Sequence, residues 1–289
     1  MASRTVVRSS RWREYRSLPG EFLLAGTVQV DGSSTYYQTT GSCEVEHHTV
    51  VFLHGMASSS ACWREQIAAV GRLAYTVAVD LPGHGRSEGE GYADAREYAV
   101  FLDRFLDALG VRQPVVLAGM CLGAAVALEF AARWPDRVAG LVLSGIADRF
   151  AVDEDALAMA RAGLWSEAFW QGQLGPHARE EVVRLNQICW LQTRPEVRYA
   201  DMLACANFRA SGLPRRVRAP ALVLSGTEDR ITPPEGARNL CRGLGNSILE
   251  VVPGAGHVAL LEEPERLHSA VARFLAAIGA PNPVPARML

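Results

Sequence analysis

The string Gly119-Met120-Cys121-Leu122-Gly123 is the part of this sequence best suited to covalent chemistry. It lies between an apolar run, Val115 to Gly119, and an Ala- and Leu-rich stretch that reads as a helix over 122–134. A strand that turns at once into a helix forces residue 121 into a strained backbone conformation. Neighbouring chain then comes so close that a side chain at 119 or 123 would clash, which the two glycines avoid. The Cys121 side chain is left standing alone above the strand ends. It also sits at a helix N-terminus, where the dipole favours thiolate over thiol. A thiolate so placed is a nucleophile toward acyl carbonyls.

The rest of the chain supplies a frame for that turn. Residues 23–29 and 34–39 read as strands around Asp31-Gly32-Ser33. Continuous apolar runs at 48–53, 76–80, 115–119, 139–144, 221–225 and 247–252 suit strands buried on both faces. Helical periodicity marks 62–71, 93–109, 235–243 and 263–278. From Asp148 to Leu213 the alternation stops, and short amphipathic helices with Trp165, Trp170 and Trp190 replace it. The expected architecture is therefore α/β: a mostly parallel eight-stranded sheet, helices on both faces, and an inserted helical cap. Residues 1–147 and 214–289 form the core of this reading and 148–213 the cap. Residues 1–20 hold Arg4, Arg8, Arg11, Arg13 and Arg16 without a clear period and read as a loose arm or short helix.

Composition narrows the partners. With 289 residues, 49% of them hydrophobic, the chain can bury a large core. A net charge of −2 gives no bulk attraction to nucleic acid or membrane. All 29 basic residues are Arg, which points to a GC-rich genome. Six scattered cysteines without CxxC spacing argue for reduced thiols and against a zinc site or disulfide scaffold. With no signal-like or membrane-length apolar run, a cytoplasmic location is expected. No Walker string and no G-x-G-x-x-G after a strand are present, so no cofactor is expected. His47-His48 lacks a third ligand, so no metal is expected there either.

Five motifs in order carry a resemblance over about residues 25–278. They are Leu53-His54-Gly55, the run Asp80 to Ser87, Gly119 to Gly123, Gly226 to Asp229, and Gly254 to His257. Together they resemble the α/β-hydrolase superfamily, whose triad runs nucleophile, acid, histidine. The resemblance implies Cys121 as nucleophile, Asp229 as acid and His257 as base. It implies an oxyanion hole from the backbone N–H groups of Met56 and Leu122. Two departures stand out: Cys replaces the usual Ser, and Ala124 replaces a frequent third glycine. Glu228 and Asp148 compete with Asp229 for the acid. Asp80 and His84 read as loop-shaping residues, and His54 as packing beneath the oxyanion loop. Cys189 and Cys205 read as apolar fillers of the cap.

A Cys nucleophile forms a thioester, whose carbonyl is more electrophilic toward amines and carbanions than an ester's. In size, in Cys-Asp-His order and in its cap, the chain resembles stand-alone Dieckmann cyclases of tetramate and pyridone biosynthesis. That resemblance implies an acyl thioester substrate delivered by a carrier protein. Carrier proteins are acidic, so the Arg4–Arg16 arm is read either as a docking element for one or as a disordered, solvated arm. A Cys-dependent thioesterase, esterase or lactone hydrolase is the alternative expectation. A non-catalytic ligand-binding member of the fold is the third.

Overall fold

A computed structural model describes residues 13–17, 21–40, 48–164 and 172–279. Eight strands build the expected sheet. They are β2 (Glu21–Val30), β3 (Ser33–Thr40), β4 (Thr49–Leu53), β5 (Tyr75–Val79), β6 (Val115–Met120), β7 (Val138–Ser144), β8 (Ala221–Gly226) and β9 (Ser247–Val252). A ninth, β1 (Arg13–Ser17), pairs antiparallel with β2, and the full order is β1-β2-β3-β5-β4-β6-β7-β8-β9. This corrects the loose-arm reading for residues 13–17. The free edge of β2 templates a strand through backbone groups, which side-chain periodicity does not report. Arg4, Arg8 and Arg11 lie outside the described residues.

The β2–β3 hairpin turns on Asp31 and Gly32, both at positive φ (51° and 83°), which suits the twist of the paired strands. From β5 to β9 all pairings are parallel. Every residue of β4, β6 and β8 is buried, the reason those runs are uninterruptedly apolar. The helices of the sheet are α1 (Arg64–Val70), α2 (Ala95–Ala108) and α3 (Leu122–Arg133), followed after the cap by α7 (Pro234–Gly243), α8 (Ala259–Glu262) and α9 (Pro264–Ile278). Asp94 caps α2 by accepting from the Arg96 N–H at 2.8 Å, and Gly110 at φ 74° lies just beyond its end. Helix α3 is buried almost all round, hence its run of small alanines. It packs against α2, while α1 packs against α9.

Between β7 and β8 the described residues form α4 (Glu154–Arg161), α5 (Glu180–Gln192) and α6 (Pro195–Asn207), with no strand among them. Trp190 is buried on α5 under the Arg198 guanidinium and is not part of the cavity wall described below. Trp165 and Trp170 lie outside the described residues.

The chain runs from β4 to β5 on one side of β4, then crosses back to β6 on the other. The loops after β4 and β6 diverge at that point, leaving a crevice at the C-terminal strand ends. Cys121 follows β6, Gly55 and Met56 follow β4, Asp229 follows β8 and His257 follows β9. The fold thus delivers all five to one end of the sheet.

Candidate active site

Cys121 occupies φ 54°, ψ −120°, between the last residue of β6 and the first of α3. For a non-glycine residue this costs about 1–3 kcal/mol and must be held by its surroundings. A Cβ on Gly119 would lie 2.3 Å from the Gly123 carbonyl oxygen, and one on Gly123 would lie 2.1 Å from the Leu53 carbonyl oxygen. Any larger residue at either place would push the turn off its neighbours. The Cys121 N–H donates to the Ser144 carbonyl at 2.9 Å, tying the turn to β7.

His257 and Asp229 meet as the motif order implies. Nδ1 of His257 lies 3.0 Å from Oδ2 and 3.2 Å from Oδ1 of Asp229. Asp229 also accepts from the Ile231 and Thr232 N–H groups at 2.9 and 2.8 Å and from the Thr232 hydroxyl at 2.7 Å. Those donors orient the carboxylate, which in turn sets the imidazole tautomer: Nδ1 carries the hydrogen toward Asp229, and Nε2 is on the far side of the ring. Buried Nε2 has no hydrogen-bond partner among the described residues. The rivals do not compete. Glu228 and Asp148 are exposed, and the Glu228 side chain takes its bond from Thr227. Gly145, at φ 59°, is a residue that motif reading overlooks. A Cβ there would come within 3.0–3.1 Å of the His257 ring, so its bare backbone makes the seat for the imidazole.

The electrostatics favour an ion pair. The neighbouring Cys205 thiol, the His257 imidazolium and the Met56 N–H hold the Cys121 thiol well below its ordinary range, against the opposing effect of burial. Burial alone would lower His257, but the Asp229 carboxylate and the Cys121 sulfur lift it to about 10. Burial likewise opposes the charge on Asp229, and His257 with the Thr232 donors overcomes it. Both shifts favour the thiolate over the thiol and the imidazolium over the imidazole. An ordinary thiol titrates near 8.5 and loses reactivity in acid. Alkylation of Cys121 by iodoacetamide is expected to persist to lower pH than that of the other thiols. The pH profile of Cys121 modification, followed by peptide mass, checks this.

Around the sulfur lies a cavity of about 340 Å³, mostly apolar, whose wall includes Met56, Cys121, Phe150, Met202, Cys205 and His257. Cys62 and Cys189 line it as well. Cys205 is thus not the inert filler that its cap position suggests; it faces the same space as Cys121 and acts on it. Gly55 is pressed against Cys121, since a Cβ there would sit 3.2 Å from the Cys121 Cβ. Met56 follows on that loop and lines the cavity with Cys121, and Leu122 opens α3 beside it. His54 lies beneath, donating from Nδ1 to the Gly55 carbonyl at 2.8 Å and accepting the Leu81 N–H on Nε2 at 3.0 Å. Burial keeps it neutral, with its pKa at about 3.

Asp80 and His84 shape the loop after β5. Asp80 accepts from the Ser60 N–H at 2.6 Å and the Arg86 N–H at 2.8 Å. The cap is bonded to the loop that carries His257. The His257 N–H donates to the Gln173 carbonyl at 2.8 Å. Glu262 accepts from Gly175 in the cap at 2.7 Å and from Gly256 at 3.0 Å. Among the described residues no cluster of three His, Cys, Asp or Glu is arranged to hold a metal ion. No helix among them is long and apolar enough to cross a membrane.

Residues 50–270 match the family model described as "Alpha/beta hydrolase family". The chain belongs to that family. Among its relatives is a pimeloyl-[acyl-carrier protein] methyl ester esterase of Chromobacterium violaceum, 28% identical over 242 residues, covering 78% of this chain and 93% of the relative. A haloalkane dehalogenase of Mesorhizobium japonicum is also 28% identical, over 78% of this chain and 84% of its own. A thermophilic esterase from Thermogutta terrifontis has a closely similar structure, with a TM-score of 0.78 and 25% identity over 88% of this chain and 99% of that one. As in other α/β hydrolases, the chain is built as an enzyme, with its reactive groups on loops at the strand ends and a helical insertion above them.

Proposed function

We propose that this α/β hydrolase is a Cys-dependent acyl-transfer enzyme in which Cys121 is the nucleophile, His257 the acid and base, and Asp229 the group that orients His257. Met56 and Leu122 supply the oxyanion N–H donors in this reading. The observation that carries it is the His257–Asp229 pair at 3.0 Å opening onto the same apolar cavity as Cys121 at its strained strand-to-helix turn, with a buried Nε2 that has no hydrogen-bond partner among the described residues.

The substrate class that best fits a sulfur nucleophile is an acyl thioester, because thiol–thioester exchange is nearly isoenergetic. The Cys121 thiolate attacks the carbonyl, and the oxyanion is met by the two N–H groups. Collapse expels the substrate thiolate, which takes the proton from His257. His257 is then neutral beside a thioester of Cys121. With a β-ketoacyl-aminoacyl chain, neutral His257 takes a proton from the active methylene. The carbanion attacks the thioester carbonyl, a C–C bond closes the ring, and the Cys121 thiolate leaves to rejoin the imidazolium. This is an off-loading Dieckmann cyclisation to a tetramate-type ring. The apolar cavity supports it by limiting competing water. A carrier protein is the proposed donor of the acyl chain, and one relative's name refers to an ester of an acyl-carrier protein.

Simple thioester, ester or lactone hydrolysis is the second reading, favoured by relatives named as esterases. The two part at the acyl-enzyme. Incubation with a β-ketoacyl-aminoacyl thioester is expected to give an adduct on Cys121 by intact mass and then the cyclised product. Free acid as the only product would favour the hydrolase. A non-catalytic binding protein would show no preference of iodoacetamide for Cys121 over the other thiols.

A further inference from the structure

Asp201 is a carboxylate inside the protein, with no exposed surface, on the face of α6 that points at the sheet. Its Oδ2 accepts the Ala57 N–H at 2.8 Å and His84 Nε2 at 2.7 Å, and its Oδ1 accepts the Tyr98 hydroxyl at 2.7 Å. Ala57 directly follows Met56 and stands at φ 49°, a conformation an alanine adopts only when held there. Tyr98 in turn accepts the Tyr92 N–H at 3.0 Å, and the His84 ring packs on His54 at 4.8 Å. Every bond of Asp201 therefore leads from the cap into the core. The one that reaches Ala57 ends on the loop that begins with Gly55, whose backbone is pressed against Cys121. Cys205 lies one helical turn further along the same face and lines the same cavity as Cys121.

We propose that Asp201 is a positioning residue for the oxyanion loop: by binding the Ala57 N–H it fixes the peptide next to the one that carries the Met56 N–H, and so aims that donor. The inference rests on the acyl-transfer reading. An apolar residue at 201 could anchor a cap by packing alone, and burying a carboxylate is costly unless its lone pairs are used. Here one acceptor is used to hold a strained peptide beside the nucleophile. A donor aimed in advance at the developing oxyanion stabilises it without reorganisation at the moment of reaction. Helix α6 then bears on both halves of the chemistry, the sulfur through Cys205 and the oxyanion through Asp201.

Two reactions of Cys121 separate this role from mere cap anchoring. Acylation by p-nitrophenyl butyrate builds an oxyanion; alkylation by iodoacetamide attacks a saturated carbon and builds none. In the full chain, Asp201→Ala, which removes the acceptor of the Ala57 N–H, is expected to slow acylation by about tenfold or more, while alkylation, read on the high-pH plateau where the thiol is ionised in both proteins, stays within about twofold of the parent. Asp201→Glu, which keeps a carboxylate but displaces the acceptor, should show the same selective loss and serves if the Ala variant does not fold. Tyr98→Phe leaves the Asp201–Ala57 bond in place and should keep the parent ratio of the two rates. Parallel loss of acylation and alkylation in the Asp201 variants, or no loss of either, would overturn the proposal. A parent protein that forms no acyl-enzyme with activated esters or thioesters would overturn the acyl-transfer reading itself, and this inference with it.

Discussion

Replacing Cys121 by Ala is expected to abolish acyl-enzyme formation and to lower turnover by about 10⁵-fold or more, the scale seen when a covalent nucleophile is removed. The variant should remain folded, because the turn is held by Gly119, Gly123 and the Cys121 N–H to Ser144 bond, and none of these involves the sulfur. Cys121→Ser is the more informative companion. Serine fills the same space, yet it lacks the acidity that lets cysteine rest as a thiolate beside imidazolium. Its ester intermediate is also a weaker electrophile toward carbon. Ring closure should therefore fall by about 10²-fold or more while slow hydrolysis of activated esters persists. Intact mass and product analysis on the two variants measure both effects. Full cyclisation by the serine variant would remove the reason for a thioester mechanism.

The second large effect is expected at His257. Its imidazolium helps hold the Cys121 thiol low, so His257→Ala takes away both that stabilisation and the proton carrier. Turnover should drop by about 10⁴-fold. The sign of the pH effect follows: without the positive charge the thiolate is less favoured, and the alkylation midpoint moves toward higher pH. Asp229→Asn should reduce turnover by about 10³–10⁴-fold with little change in structure, because an amide cannot accept Nδ1–H and the two backbone N–H groups with the same strength. In all four variants the strand ends and the cavity are expected to stay in place, so a loss confined to rate separates chemistry from folding.

The sequence by itself determined the sheet, the order of its strands and helices, and the place of the sharp turn. These follow from local rules: apolar runs for buried strands, two glycines where backbone meets backbone, a helix beginning at Leu122. Cys121, Asp229 and His257 were legible as site candidates for the same reason, since each follows a strand within a short motif. Residues 13–17 were not legible as a strand, because pairing at an open edge depends on backbone groups that every residue carries. Only the tertiary structure showed that Cys205 shares a cavity with Cys121, that Gly145 seats His257, and that Asp201 and Glu262 bond the cap to the loops after β4 and β9. Val197, Asp201 and Cys205 share one face of α6 at four-residue spacing, so a polar residue on a buried stripe was visible. What it would touch was not. The partner of a helix face is set by how a separate layer of the protein packs over the strand ends, and that registration comes from many long-range contacts at once.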